Sequence, residues 1–134
     1  MSLVLLDTDV ASTSLRGRLS DRLQARLAGK IWYISTVTLG EMTKWTIIRS
    51  WGPRRLADLA AWRQGVTVLP SDETVATIWG EIQARAQLRG RPRPVNDSWI
   101  AACAMAYELP LATFNVKDFI DFAQYDGLEL VDVS

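Results

Sequence analysis

The segment Leu3-Val4-Leu5-Leu6-Asp7 decides how the rest of the chain is interpreted. Four apolar residues in a row are too short and too uniformly apolar for a surface helix, so they predict a buried strand. Further apolar runs predict strands at residues 31–34, 66–69, 111–114 and 128–131. Short apolar strands that alternate with helices are typical of parallel sheets with both faces covered. We therefore expect an α/β fold, a three-layer α/β/α sandwich with a central, mostly parallel, five-stranded sheet.

The segments between these strands carry helix signals. Pro53 suits the first turn of a helix, and Gly29 and Gly65 end the helices that precede them. The segment 97–107 is apolar nearly all round, which predicts a buried central helix. Helices are predicted at residues 19–27, 37–49, 53–64, 97–107 and 117–122, and from the capping segment 71–74 to residue 88.

The composition limits the chemistry that the protein can perform. The chain has 134 residues, 49% of them apolar and 22% charged, so we expect a single domain over residues 1–134. The absence of histidine excludes Ser-His-Asp and Cys-His triads and zinc sites that use histidine. The one cysteine, Cys103, excludes a disulfide framework, a four-cysteine zinc site and an iron–sulfur cluster. The remaining chemical groups are carboxylates, hydroxyls, amines and bound cations.

The apolar runs of the sequence predict neither a signal peptide at the N-terminus nor a membrane span. The N-terminal apolar run stops after four residues and has no basic segment before it, unlike a signal peptide. The longest apolar run, residues 99–107, is far shorter than the roughly 20 residues that a membrane span needs. With a single thiol, we expect a cytoplasmic protein and no membrane partner.

Charge is distributed unevenly along the chain. Residues 1–93 carry fourteen basic and eight acidic side chains, whereas residues 94–134 carry one basic side chain and seven acidic ones. Solvated helix faces explain this pattern, but so does an acidic site rimmed by a basic surface, which suits a metal-dependent enzyme acting on a polyanion. The same two explanations apply to four arginines near the end of the long helix, which either complement its dipole or contact phosphate: Arg85, Arg89, Arg91 and Arg93.

Four acidic residues are predicted to converge at one edge of the sheet. Asp7 follows the first strand, Asp97 opens the buried helix and Asp118 follows the fourth strand, where parallel sheets form their ligand crevice. Glu41 lies in an apolar helical stripe, so it faces inward and needs a partner, such as Lys44 or an arginine. Each Asp can also be a helix cap. Together, however, four carboxylates repel one another and are compatible only with protonation or with hard cations such as Mg²⁺ or Mn²⁺.

At these acids the sequence resembles a known family. The ordered segments look like the signature segments of PIN-domain ribonucleases, and with the closing segment they resemble VapC-type toxins of bacterial toxin–antitoxin pairs. The resemblance spans essentially the whole chain and is carried by Leu5-Leu6-Asp7-Thr8-Asp9-Val10, Thr38-Leu39-Gly40-Glu41-Met42, Asn96-Asp97-Ser98-Trp99-Ile100-Ala101-Ala102-Cys103-Ala104, Thr113-Phe114-Asn115-Val116-Lys117-Asp118-Phe119 and Gly127-Leu128-Glu129-Leu130-Val131.

The resemblance implies a PIN-like fold and a Mg²⁺-dependent endoribonuclease, with Mn²⁺ as a possible substitute, that is held inactive by a cognate VapB-type antitoxin. It also implies an RNA substrate and a homodimer. The family's acidic site corresponds to Asp7, Glu41, Asp97 and Asp118, with Asp7 and Asp97 as the most direct metal ligands and with Thr8 and Asn115 in support. Glu41 and Asp118 would either hold a second metal or orient the attacking water. The sequence departs from the family at Phe114, where many members have arginine, and in the tryptophan content of residues 44–51.

The mechanism expected from these parts is hydrolysis by metal-activated water. Because the chain has no histidine to act as a base, a metal must lower the pKa of a bound water and stabilise charge on the phosphate. In-line attack by water would leave a 5′-phosphate and a 3′-hydroxyl. Several tryptophans are expected to pack in the core, in a homodimer or in an antitoxin groove rather than to stack on RNA: Trp45, Trp51, Trp62 and Trp79.

Two other functions remain open at this point. A PIN-like fold could act as an RNA- or protein-binding module without activity. Asp7 and Asp9 after an apolar strand also fit a haloacid-dehalogenase-like phosphatase, in which the first Asp is a nucleophile and the second a general acid. The phosphatase leaves Glu41 unexplained and makes Lys117 and Asp118 too close together for their roles.

Overall fold

A parallel sheet forms the centre of the computed structural model, which describes residues 2–134. Within these residues the sheet has four strands, β1 (Leu3–Leu6), β2 (Ile31–Ser35), β3 (Val66–Leu69) and β4 (Leu111–Ala112). Their order across the sheet is β3-β2-β1-β4, and every neighbouring pair is parallel. Leu5 of β1 pairs with Tyr33 of β2 on one side and with Leu111 of β4 on the other.

The described residues contain seven helices, six of which the sequence predicted to within a few residues. They are α1 (Thr8–Leu15), α2 (Asp21–Leu27), α3 (Thr36–Ile48), α4 (Pro53–Arg63), α5 (Glu73–Leu88), α6 (Val95–Ala106) and α7 (Val116–Tyr125). The sequence did not predict α1, because five of its eight residues are Ser, Thr or Asp, which favour caps and turns over helix interiors. Its first turn begins at Asp7, whose side chain caps the helix.

The core lies in two layers, one on each face of the sheet. Because side chains alternate along a strand, Leu5 packs with α5, α6 and α7, whereas Val4 and Leu6 pack with α1, α2 and α3. The helix α6 is buried from Ile100 to Ala104, as its apolar sequence predicted. Helices therefore cover both faces of the sheet, and the predicted three-layer α/β architecture is confirmed.

The prediction of a fifth strand is wrong. Residues 128–131 make only one parallel bridge, in which Leu111 N donates to the Glu129 carbonyl at 2.9 Å and Val131 N donates to the Leu111 carbonyl at 2.8 Å. The fourth strand is also shorter than predicted, because the chain leaves the sheet at Thr113, whose hydroxyl donates to Asp7 and accepts from the backbone of Asn115. On the outer edge of β4, therefore, only Leu111 forms a backbone bridge with residues 128–131.

Most of the tryptophans predicted to pack do so. The ring of Trp79 stacks on that of Trp99 with centroids 4.8 Å apart, which joins α5 to α6. The indole of Trp62 donates a hydrogen bond to the Ser14 hydroxyl at 3.0 Å and so links α4 to α1. None of the helices found in residues 2–134 has the length and apolar character needed to cross a membrane.

Candidate active site

Asp7 lies at the carboxyl end of β1, and its carboxylate is almost fully buried. Its Oδ1 accepts from Thr8 N at 2.8 Å, which caps α1, and its Oδ2 accepts from the Thr113 hydroxyl at 2.7 Å. Burial raises the pKa of Asp7, although these two hydrogen bonds partly offset it. Asp7 is thus both a helix cap and a rigidly held carboxylate that joins β1 to the end of β4.

Glu41 is held by a hydroxyl rather than by a cation. The Thr8 hydroxyl donates to Glu41 Oε1 at 2.8 Å and lies 2.9 Å from the Thr38 hydroxyl. Because Thr8 has one hydroxyl proton, which Glu41 accepts, Thr38 must donate to Thr8. The expected ion pair with Lys44 or an arginine does not form among the residues that the structure describes. This relay links α1 to α3 and fixes the direction of the Glu41 carboxylate.

Asp97 is in the first turn of α6, but it is not the cap of that helix. The N-cap is Pro94, and no hydrogen bond from the described residues reaches the Asp97 carboxylate. Burial, followed by the charges of the other three predicted site acids, raises the pKa of Asp97 to about 6, and Arg93 only partly opposes this effect. The Asp97 carboxylate therefore lies within range of three like charges, and no hydrogen bond from the described residues holds it.

The fourth acid, Asp118, lies in the first turn of α7. The Asn115 side-chain amide donates a hydrogen bond to Asp118 Oδ2, and Asn115 N donates to the Thr113 hydroxyl at 3.0 Å. Asn115 thus connects Asp118 to the same threonine that binds Asp7. The structure brings all four predicted acids into electrostatic contact, because the charges of Asp7, Asp118 and Glu41 each raise the pKa of Asp97. We refer to Asp7, Glu41, Asp97 and Asp118 as the acidic centre.

A fifth carboxylate, Asp9, lies beside the acidic centre. Its Oδ1 accepts from Val10 N at 2.7 Å and its Oδ2 accepts from Phe114 N at 3.1 Å. Burial and the charge of Asp7 raise the pKa of Asp9 to about 7. The sequence assigned Asp9 a role only in the phosphatase alternative, although its position two residues after Asp7 was the available signal. At Phe114 the backbone N–H binds this carboxylate, whereas the side chain is partly exposed.

The four arginines considered for RNA contact are all paired with carboxylates. Arg85 Nε lies 2.7 Å from Asp126 Oδ1, and Arg91 Nε lies 2.8 Å from Asp121 Oδ2. Two longer contacts complete the set, Arg89 to Asp126 at 3.7 Å and Arg93 to Asp121 at 4.0 Å. These six residues, the arginine–aspartate cluster, bind the end of α5 and the following loop to α7 and its end.

Comparison with known proteins identifies the family. The sequence profile described as PIN domain matches residues 4–127. The chain belongs to the PIN-domain family. Within the family it belongs with the VapC ribonucleases, since it is 31% identical to ribonuclease VapC4 of Mycobacterium tuberculosis over 81% of this chain and 82% of that protein. The predicted family is confirmed, and it decides against the phosphatase.

Two solved structures have the same fold as this PIN domain. VapBC-5 from Mycobacterium tuberculosis, described as a member of the VapBC family of toxin–antitoxin systems, is 26% identical with a TM-score of 0.74, covering 99% of this chain and 100% of that one. VapBC2 from Rickettsia felis, bound to a DNA fragment from its promoter, has a TM-score of 0.83 over 98% and 99% of the two chains. At 19% identity, the second likeness concerns the fold alone.

The donor set of this PIN domain suits a hard divalent cation. No group of three or more acidic or thiol side chains within residues 2–134 has the arrangement of a ready-made metal site. Mg²⁺, however, is usually bound by one or two carboxylates, with waters completing its coordination. Asp7 and Asp97 can supply two such oxygens, because each Asp7 oxygen keeps a second lone pair and Asp97 accepts no hydrogen bond from the described residues.

Proposed function

We propose that this protein is a Mg²⁺-dependent endoribonuclease, able to use Mn²⁺, that acts as the toxin of a toxin–antitoxin pair. The observation that carries the proposal is the convergence of four carboxylates in the acidic centre, where burial, and after it the charges of the other three acids, raises the pKa of Asp97 to about 6. Repulsion between these carboxylates destabilises the folded protein unless a bound cation neutralises their charge. The VapC relatives are named ribonucleases, which supports the same conclusion. We further propose that residues 1–134 form a single PIN domain.

In this proposal, two residues of the acidic centre bind the cation and the other two orient the attacking water. Asp7 and Asp97 would hold the cation, which when bound supplies a water of lowered pKa and neutralises charge on the phosphate. Glu41, fixed by Thr8, and Asp118, fixed by Asn115, would orient the attacking water by accepting its hydrogen bonds. Attack on phosphorus breaks the bond to the 3′-oxygen, so that the products carry a 5′-phosphate and a 3′-hydroxyl.

Partners follow from the same proposal. We propose that a VapB-type antitoxin binds and inhibits this protein, since VapBC complexes are among its structural neighbours, and that it forms a homodimer. Single-stranded RNA is the proposed substrate. The four arginines can contribute RNA affinity even though they are paired, because each guanidinium has five N–H donors and the contacts with Asp121 and Asp126 use only some of them.

A cleavage assay with a matched control tests the proposal. Purified wild type should cut bacterial total RNA with Mg²⁺ or Mn²⁺ but not with EDTA, and Asp97→Asn should lower the rate at least about 100-fold. The control is Asp21→Asn, which removes an exposed carboxylate from the first turn of another helix and should leave the rate unchanged. Wild-type cleavage by Asp97→Asn, or cleavage that persists in EDTA, would show that the proposed centre is wrong.

The toxin role has its own test in cells. Expression of the wild type in a bacterium should arrest growth, and expression of Asp97→Asn at the same level should not. Co-expression of the cognate antitoxin should restore growth. Growth that continues with wild type present at the level of the inactive variant would contradict the role as a toxin.

A further inference from the structure

One face of α3 lines a cavity beside the acidic centre. The cavity has a volume of about 350 Å³, and its lining is completed by Asn96 at the start of α6. Glu41 belongs both to this cavity and to the acidic centre, and Asn96 immediately precedes Asp97. We call this space the α3 cavity; the residues of α3 that line it recur at helical spacing and are Val37, Gly40, Glu41, Lys44 and Trp45.

Gly40 has no structural reason to be a glycine. It lies within α3, where glycine is unfavourable relative to alanine, and its φ is not positive. A methyl group built at its Cα would meet no atom within 4 Å outside its own helix and its chain neighbours. Neither backbone conformation nor packing therefore requires glycine here. Its effect is to leave one wall of the α3 cavity without a side chain, which points to an occupant that comes close to the helix.

The other lining residues indicate the chemistry of that occupant. Trp45 is half-buried and packs on the core, and the Arg49 guanidinium lies 4.9 Å from the centroid of its ring. The Lys44 amine is exposed, and no carboxylate within residues 2–134 lies within 4.0 Å of it. Asn96 adds an exposed amide with both donors and an acceptor. An aromatic ring, a cation without a paired anion and an amide together match a base and a phosphate.

We propose that the α3 cavity binds one nucleotide of single-stranded RNA next to the bond that is cut. The base lies against Trp45, its edge reaches the Asn96 amide, and the flanking phosphate pairs with Lys44. The volume is within the range of small-ligand sites, and the shared residue Glu41 places the cavity next to the acidic centre. This inference rests on the proposed function and adds to it the residues that would select the nucleotide.

Substitution of Gly40 separates binding from folding. Gly40→Ala should raise the melting temperature by about 3 °C, because alanine is the better helix former, yet it should weaken RNA binding at least about fivefold by placing a methyl group in the cavity. Gly80→Ala is the matched control, since Gly80 also lies within a helix, is exposed and has open space around it. It should give a similar gain in melting temperature with no change in affinity.

Affinity is measured by fluorescence anisotropy with fluorescein-labelled, random-sequence RNA 12-mers and Mg²⁺, with every substitution made in the Asp97→Asn protein so that the probe stays intact. Trp45→Ala should weaken binding between about 5-fold and 100-fold. Lys44→Gln should reduce the slope of log affinity against log salt by about 0.7. Because Trp45 also packs on the core, the decisive variant is Gly40→Ala.

The outcomes separate this inference from the proposed function. Cleavage of the probe by Asp97→Asn at the wild-type rate would overturn the proposed acidic centre, and a wild type that cleaves no RNA with Mg²⁺ or Mn²⁺ would overturn the proposed function. If wild type cleaves and Asp97→Asn does not, but Gly40→Ala and Gly80→Ala bind RNA equally well, only the nucleotide assignment is overturned. If light scattering shows that Gly40→Ala changes the oligomeric state and this change accounts for the lost affinity, a second copy of the chain occupies the cavity and the assignment is also overturned.

Discussion

Two groups of carboxylates on and around α7 have opposite electrostatic environments, one dominated by like charges and the other by arginines. Asp118, in its first turn, faces the acidic centre, whereas Asp121 and Asp126 belong to the arginine–aspartate cluster. In the acidic centre, burial and like charges raise the pKa of Asp97 to about 6. In the other cluster, the hydrogen bond and charge of Arg91 hold the pKa of Asp121 below its usual value.

In these two clusters, burial alone does not distinguish a carboxylate of the proposed active site from a structural one. The Asp126 side chain is completely buried, more so than Asp97, yet two arginines lie beside it. What differs is whether the chain itself supplies the cation. Where arginines pair with them, the carboxylates join elements of the fold. In the acidic centre no arginine or lysine of the described residues lies within 4.0 Å of a carboxylate, and the proposed function assigns the neutralising charge there to a cation from solution.

A divalent cation should stabilise the protein through the acidic centre. If it binds only the folded state, millimolar Mn²⁺ at 100 times its Kd adds about 2.7 kcal/mol, or roughly 5–15 °C in melting temperature. Asp97→Asn should melt higher than wild type in EDTA, because one repelling charge is gone, and should gain less from Mn²⁺. Thermal melts of both proteins with EDTA and with Mn²⁺ provide the measurement. Equal metal shifts and equal melting points in EDTA would mean that Asp97 takes no part in metal binding.

Asp126→Asn should reduce stability but not catalysis. The amide retains one acceptor for Arg85 but turns an NH₂ group towards the donors of Arg89, so we expect a loss of about 1–3 kcal/mol in the free energy of unfolding. Urea unfolding measures this loss, and cleavage at a temperature where both proteins are folded should stay within about twofold of wild type. Asp132→Asn is the control, because its partner Arg26 binds a largely exposed carboxylate and little change is expected. A loss of cleavage without a loss of stability would place Asp126 in the reaction instead.

The pH dependence of stability should differ between wild type and Asp97→Asn. A carboxyl group whose pKa is raised on folding favours the folded state fully below its unfolded pKa, near 4, and this contribution is lost as pH rises through its folded pKa, about 6 for Asp97. In EDTA the two proteins should therefore melt together near pH 4, and the variant should become the more stable by about 1–2 kcal/mol near pH 7 after allowance for screening. A difference that is constant from pH 4 to pH 7 would contradict the raised pKa.

The sequence predicted the acids better than their partners. Asp7 and Asp118 could be placed because both follow apolar strands, and parallel strands end at one edge of a sheet. Asp97 could be placed at the start of an apolar helix. The partner of Glu41 could not be predicted, because Thr8 lies 33 residues away along the chain and its contact with Glu41 depends on how α1 packs against α3. The same holds for Arg91 and Asp121, which are 30 residues apart.

The differences between the predicted and the observed fold have local physical causes. Helix α1 was not predicted because its Ser and Thr residues lack apolar periodicity, and only the cap formed by Asp7 marks its start. The fifth strand was predicted from the apolar residues near Leu130, but pairing also requires a neighbour with unused backbone groups. The chain turns out of the sheet at Thr113 to reach Asp7, and this shortens the edge that a fifth strand needs.

The strand order also determines how late the acidic centre can form during synthesis of the chain. The strand β4 lies against β1, so Asp7 has no Thr113 beside it until more than a hundred further residues have been synthesised. At 5–20 residues per second, the interval between Asp7 and Asp118 lasts roughly 5 to 20 s. During that time the growing polypeptide lacks one wall of its acidic centre. The acidic centre of the proposed nuclease is therefore incomplete until residue 118 has been added and α7 has docked.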